Sequence, residues 1–429
     1  MAFVASLAYV ALALTAPWEA FPALAELRIM FWLMGGIWVI TFFQVIFGRV
    51  SLWVPQIPLL VTFLFLTMLS VAVTGWFGGA VIAFSQVMVP LSACIVLVAH
   101  TTSPSRARWL CRSLVLVGIY LSVRGILAVG FGIDLDTYAM AEKVNGDEQG
   151  TLLVQVYRAR GLGLLNDPND LAQYLVACLP LAVLPWRRGR IVGNFVQVVV
   201  PISLMLVAFF LTRSRGGLVA LAFLVTLAAS RISRFAALVS GVGVLGGMLA
   251  LGFSGGRAAS ISEGTGGGRI AGWSDALVAF GSHPIFGVGY GNINDYMSGY
   301  TAHNSYLLCL AETGVFGLFF WLAAFTVTFF QVRPLLTDPN VSEESRRSSR
   351  LYLLSLASAM VAGFFLSRTY SLTLYIFLGL LTSAFVLARS EQSEPCPLFR
   401  SSWLAWNGML AFLLIATIYV LVRLHWMSA

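Results

Sequence analysis

Charge is what this sequence has least of. Only 10% of its 429 residues are Asp, Glu, Lys or Arg, against 59% apolar, and the mean hydropathy is +0.87. A soluble domain carries about a quarter charged residues, so this chain has too little polar surface to cover itself in water. Lysine is nearly absent, with Lys143 the only one. The net charge of +8 comes from arginines in short clusters between apolar runs, the pattern of cytoplasmic loops and not of a nucleic-acid patch. Cysteine is scarce too. Cys94, Cys111, Cys178 and Cys309 lie within or at the ends of apolar runs and Cys396 in a polar stretch, and no CxxC or CxH spacing occurs. Neither a disulfide framework nor a zinc site is indicated. Short alternating segments, which a β-barrel requires, give way to unbroken apolar runs. The first run lacks the basic start and cleavage motif of a signal peptide and reads as a membrane helix. No transporter-type internal repeat appears.

The apolar runs fall at about 2–16, 28–47, 57–74, 78–100, 110–130, 170–185, 191–211, 216–230, 235–253, 304–330, 351–366, 369–388 and 403–422. They predict an all-α, polytopic transmembrane bundle of about 12–13 helices forming a single membrane domain over 1–429. Arg49, Arg106-Arg108-Arg112, Arg187-Arg188-Arg190, Arg231 with Arg234, Arg333 with Arg346-Arg347-Arg350, and Arg389 with Arg400 fall in alternate connections. By the positive-inside rule the N-terminus is then cytoplasmic. The outer connections become 17–27, 131–169, 212–215, 254–303 and 367–368. Two are long: 131–169 ends in RARGLGLLNDPND and 254–303 in TAHNSY. Within the second, Ile270, Trp273, Leu277 and Phe280 recur at helical spacing, which predicts an amphipathic helix near the membrane surface.

An outer face should be poor in arginine, yet this one holds Arg158, Arg160, Arg213, Arg215, Arg257, Arg269 and Arg368. Arg213 and Arg215 stand in LTRSRGG, a very short connection close to the hydrocarbon, where charge is costly. A guanidinium offers a planar fork suited to phosphate oxygens, so the group suggests a site for a phosphorylated lipid. The alternative is snorkelling to headgroups with structural pairing to carboxylates, which fits Arg158, Arg160 and Arg257 better. Arg269 follows GTGGG, where converging backbone N–H groups form an anion nest or the glycines are only slack. GVGYG at 287–291 lacks the βαβ context of a dinucleotide fingerprint.

His303 opens the tenth apolar helix, with Asn304 and Ser305 as candidate caps. The positive end of the helix dipole would keep its imidazole neutral, suited to accepting a proton from a hydroxyl; the alternative is a structural histidine. His283 reads as a turn residue, and His100 and His425 as helix ends. NDPND at 166–170 reads as an Asx-Pro turn capping the sixth helix, with Asp170 in its first turn, ahead of a divalent-cation site. Glu312, nine residues past His303, lies on about the opposite side of that helix, and Gly314 and Gly317 suggest close helix packing. Arg124 is the one arginine clearly placed mid-helix.

These elements occur in a recognisable order. GLGLLNDPNDLAQYL, LTRSRGG, GGGRIAGWSDAL, HPIFGVGYGN and TAHNSYLLCLAETGVFGL together resemble the signature of the O-antigen ligase and O-antigen polymerase family. The likeness is close over about 160–320. It implies a bacterial inner-membrane glycosyltransferase of the GT-C type, acting on the periplasmic face without cofactor, obligatory metal or nucleic acid. The donor would be a glycan on undecaprenyl diphosphate and the acceptor a glycan or lipid A–core, in a membrane-lipid setting with a chain-length regulator as partner. By motif, His303 matches the family's essential histidine, while Arg215 and Arg269, with Arg213, match diphosphate ligands. Asn304, Trp273, Asn169 and Arg368 would support them. The resemblance leans towards a polysaccharide polymerase, with O-antigen ligase and protein O-oligosaccharyltransferase as alternatives. A lipid-linked sugar transporter, the competing class, requires charges deep within several helices.

Overall fold

The computed structural model describes residues 1–145, 153–250, 265–297, 302–392 and 395–428. Its helices of ten or more residues are α1 (Ala2–Thr15), α2 (Ile29–Ile46), α3 (Gln56–Ala72), α4 (Phe77–His100), α5 (Pro104–Phe131), α6 (Pro168–Ala182), α7 (Ile191–Thr212), α8 (Arg215–Ala229), α9 (Arg234–Ala250), α10 (Thr265–Ser282), α11 (Ser305–Leu335), α12 (Glu343–Gly363), α13 (Leu372–Arg389) and α14 (Ser401–Ser428). Thirteen of them fall on the thirteen apolar runs, and α10 on the amphipathic stretch. Seven (α4, α5, α7, α11, α13, α14 and the segment Ala23–Ile46) are long and apolar enough to cross a membrane, and α1, α3, α8 and α9 are shorter apolar helices. The chain is an all-α, multi-pass membrane protein.

The long connection 131–169 carries a feature not anticipated from the sequence: Ala139–Asn145 (β1) and Leu153–Ala159 (β2) pair antiparallel, Glu142 opposite Val156 and Met140 opposite Arg158. The alternation in LVQVYRA was the available signal, and reading the segment only as the gap between membrane helices passed over it.

Two packed units make up the chain: Met1–Val50, Ala99–Arg257 and Arg350–Ala362 form one, and Ser51–Val98, Ala258–Ser349 and Gly363–Ala429 the other. In the first, α7 packs on α5 and α6, and α8 on α6 and α9. Gln173 of α6 donates to the Ala359 carbonyl of α12 at 2.8 Å, and Tyr174 to the Leu114 carbonyl of α5 at 2.7 Å. At the end of α4, the buried His100 ring lies between the hydroxyls of Ser6 (2.9 Å) and Thr41 (3.3 Å), a helix-end role as expected. Arg124 of α5 finds its partner beyond the helix end, in an ion pair with Asp134 and over the Tyr138 ring at 4.4 Å.

The second unit is built around α11, against which α3, α10, α13 and α14 pack. Gln56 of α3 donates to Thr328 (2.7 Å) and Gln331 (2.6 Å), and Asn407 of α14 bonds Thr326 and the Phe319 carbonyl, each at 2.9 Å. The α11 helix is broken at Gly314, whose φ of 67° and ψ of −169° no other residue type adopts cheaply. The HPIFGVGYGN segment runs through the break. Val288 and Gly289 donate to the carbonyls of Ala311 (2.9 Å) and Glu312 (3.1 Å), and Val315 donates to that of Pro284 (3.0 Å). This corrects the helix-packing reading of the two glycines. Gly314 admits a loop, and the atoms nearest to a Cβ added at Gly317 are those of Thr313 in its own helix.

A Cβ at Gly314 would overlap the Ile285 carbonyl oxygen. Gly314→Ala should therefore cost at least about 3 kcal/mol, read as a lower thermal midpoint in detergent. Gly246→Ala, a helical glycine with open space around it, should not lower it.

Candidate functional site

The candidate residues divide between the two units. In the first, α7 closes in a left-handed turn at Arg213 (φ 50°), and the next residue, Ser214, caps α8 by accepting from the Gly217 N–H at 3.2 Å. The connection has no slack. A Cβ at Gly217 would lie 2.9 Å from both Ala172 of α6 and Phe209 of α7, so the start of α8 is pressed onto both helices. Arg215 is the first residue of α8 and half-buried. Burial disfavours its charge, Glu142 attracts it and Arg158 repels it.

Arg158 organises this end of the unit. Its side chain is 6% exposed; Nε donates to the Thr212 carbonyl (2.8 Å), Nη1 to Glu142 Oε2 (3.1 Å) and Nη2 to Asn169 Oδ1 (3.2 Å). Glu142 and Arg158 meet because the hairpin register makes them diagonal neighbours on one face. The structural-pairing alternative thus holds for Arg158, and Arg160 donates to the Asp136 carbonyl at 2.8 Å. Asn169 is tied from the other side, its backbone N–H and Nδ2 both donating to Asp167 Oδ1 at 2.7 and 2.8 Å. NDPND is therefore the Asx-Pro cap of α6, with Asp170 buried in the first turn. Among the described residues no group of three or more His, Cys, Asp or Glu is placed to hold a metal ion, and all five cysteines are free.

In the second unit His303 sits just before α11 in the left-handed region (φ 43°) and is half-buried. Asn304 is the cap, its Oδ1 accepting from the N–H groups of Tyr306 (2.9 Å) and Leu307 (3.0 Å), while its buried Nδ2 makes no hydrogen bond among the described residues. Ser305 is not a cap. Its hydroxyl donates to the Leu366 carbonyl (2.5 Å) and accepts from the Arg368 N–H (2.9 Å), and Thr369 donates to its carbonyl (2.5 Å). The Arg368 backbone is thereby fastened to Ser305, which lies two residues beyond His303 in the sequence. The glycines before Arg269 form the first turn of α10, not an αR–αL nest, so their N–H groups belong to a helix N-terminus. Trp273, one turn beyond Arg269, is buried against Phe364 (ring centroids 5.4 Å apart), which also meets Tyr306 at 6.2 Å. Its Nε1 is buried without a partner among the described residues. This aromatic chain holds α10 to the start of α11. Arg257 lies outside the described residues.

Sequence reasoning missed a buried polar cluster at the α11 break. Glu312 is 3% exposed; Oε1 accepts from the Gly291 N–H at 3.0 Å, and Oε2 lies beside the buried Tyr370 hydroxyl without reaching hydrogen-bond geometry. Tyr370 stacks on Phe63 and meets Tyr290 edge-on at 4.7 Å. Burial, with the charge of Glu312, pushes the Tyr290 hydroxyl up to about 12, so it stays protonated and donates to Gln86 at 2.7 Å. The ETG run after TAHNSY was the available signal, because a carboxylate beside a glycine inside an apolar helix needs a break or a partner. His283 is an exposed turn residue, its carbonyl accepting from Gly287.

Chemically, the first unit offers guanidinium groups on a rigid two-helix connection, and the second an imidazole on a strained residue ahead of a capped helix. Arg158→Ala strands the buried Thr212 carbonyl and Glu142. It should cost about 3 kcal/mol and lower the thermal midpoint in detergent. Arg124→Ala, which removes a largely exposed pair, should cost no more than about 1 kcal/mol.

No curated protein matches the chain. Residues 200–322 match the family model described as O-antigen ligase. That segment contains Arg213, Arg215, Arg269, Trp273, His303 and Asn304, and leaves out Asn169 and Arg368. The resemblance to the O-antigen ligase and polymerase family is borne out over it.

Proposed function

We propose that this chain, placed in the O-antigen ligase and polymerase family by residues 200–322, moves a glycan from a polyprenyl diphosphate to an acceptor hydroxyl at the outer face of the bacterial inner membrane. The observation that carries the reading is that the candidate base and all three candidate diphosphate ligands lie inside the matched segment. The left-handed backbone at both Arg213 and His303 supports it, since strained conformations gather where function fixes a side chain.

In this reading Arg215 and Arg269, with Arg213, hold the donor diphosphate and offset the charge that grows as it leaves. The acceptor oxygen attacks the anomeric carbon, the carbon–phosphate-oxygen bond breaks, and the hydroxyl proton passes to a ring nitrogen of His303. One displacement inverts the anomeric centre. Diphosphate is a good leaving group, so no carboxylic acid need protonate it and no metal is required. Asn304 and Trp273, which hold the start of α11 in place, and Asn169 and Arg368 have positioning roles.

The acceptor we assign is a growing glycan, which makes the protein a polymerase whose chain lengths a partner protein would set. The ligase reading, with lipid A–core as acceptor, is the alternative, and the matching family model carries the description O-antigen ligase. A gene deletion complemented with wild type, His303→Ala or Arg215→Ala at equal membrane levels tests the site. Both variants should fail to restore the glycan ladder, a loss of at least about a hundredfold. Single repeat units in the deletion strain identify a polymerase and unattached long chains a ligase. A normal ladder from both variants would sink the catalytic assignment and favour a transporter.

A further inference from the structure

The first unit carries a second group of arginines, at the end away from Arg213 and Arg215. Asn169 at the start of α6 and the Thr212 carbonyl at the end of α7 meet at Arg158, so the end of α6 and the start of α7 lie together at the other end. The helix α7 with its first turns covers Ile191–Thr212, 22 residues, or about 33 Å at 1.5 Å per residue. That matches the roughly 30 Å of bilayer hydrocarbon, so Arg190 and Arg213 stand at opposite membrane boundaries. The connection between α6 and α7 holds Arg187, Arg188 and Arg190, and α8, packed on α6, leads back to Arg231 and Arg234.

This connection is held in one shape. Asn194 clasps it, Oδ1 accepting from the Arg187 N–H at 2.9 Å and Nδ2 donating to the Arg187 carbonyl at 2.7 Å, and Gly189 turns it through the left-handed region at φ 79°. Arg187, Arg188 and Arg190 are exposed, and their guanidinium groups meet no carboxylate among the described residues. The sequence supplies none nearby: no Asp or Glu occurs in 27–133 or 171–262. In the second unit, by contrast, Arg346 pairs with Glu343 at 2.9 Å. The three cations are flanked by the exposed indole of Trp186 and by Ile191 and Val192, which are 83% and 76% exposed. Uncompensated positive charge at headgroup depth, with an interfacial indole and aliphatic side chains directly beside it, fits an anion that carries hydrocarbon chains. A soluble anion would leave Ile191 and Val192 uncovered. We propose that the 186–192 connection binds the phosphodiester headgroup of an anionic glycerophospholipid, whose acyl chains cover Ile191 and Val192. The site is separated from Arg215 by the thickness of the bilayer and does not rest on the catalytic reading.

The full-length protein in detergent is titrated with phosphatidylglycerol and with zwitterionic phosphatidylcholine, and bound lipid is read by native mass spectrometry. The variant Arg187→Gln/Arg188→Gln/Arg190→Gln removes exposed side chains and keeps the Asn194 clasp, which uses only backbone atoms of Arg187. It should lower the preference for phosphatidylglycerol at least about tenfold. The control Arg333→Gln/Arg346→Gln/Arg400→Gln takes the same charge from the second unit and should leave the preference unchanged. An undiminished preference in the first variant overturns the proposal, and so does an equal loss in both, which would mean that charge anywhere suffices. If the first variant does not fold, Arg188→Gln alone is read in the same way, with an expected drop of about threefold. Glycerol phosphate, the soluble head without the chains, should not displace the bound lipid. Displacement at equal concentration would mark a plain anion site and overturn the lipid assignment.

Discussion

Hydrocarbon offers no hydrogen-bond partners, so every backbone N–H and C=O that leaves the helical ladder within a membrane must be satisfied by the protein itself. Two helix starts and the break in α11 are built to that constraint. Ser214 takes a free N–H at the start of α8, and Asn304 takes two at the start of α11. At Gly314, where α11 breaks, Val288, Gly289 and Val315 complete a short backbone ladder with the 283–292 segment. At these three places the backbone's departure from the helical ladder is closed by a neighbour of defined identity. That gives the residues beside these closures, Arg213, Arg215 and His303, fixed positions.

Much of this was legible in the sequence because a bilayer imposes a strong pattern. Apolar runs and alternating arginine clusters place the long helices, and α10 follows from the spacing of Ile270, Trp273, Leu277 and Phe280. The Asx-Pro cap of α6 and the cap by Asn304 follow from side chains that accept from N–H groups two or three residues on. What escaped depends on long-range contact. The hairpin was hidden because strand pairing needs a partner chosen by fold, not by neighbours. The partner of Arg124 lies beyond the end of its helix, and Glu312 is explained only by a loop that arrives from twenty residues earlier, where Gly291 donates to it. The glycines before Arg269 were ambiguous between nest and helix, because glycine permits both.

Arg158 illustrates how a structural ion can be worth its desolvation. It reaches a carbonyl, a carboxylate and an amide on three different elements, using the breadth of its fork in a way a lysine could not. By engaging Glu142 it also moderates the field around Arg215, so a residue outside the matched segment tunes one within it.

Arg213 and Ser214 are all that separates α7 from α8, and this brevity has a mechanical consequence. A connection of two residues cannot flex independently of the helices it joins. Any change in the crossing of α7 and α8 is delivered undiminished to the two guanidinium groups, and any ligand that pulls on them loads both helices at once. Lipid-facing substitutions far from the arginines can therefore act on them as a lever, and so can changes in bilayer thickness.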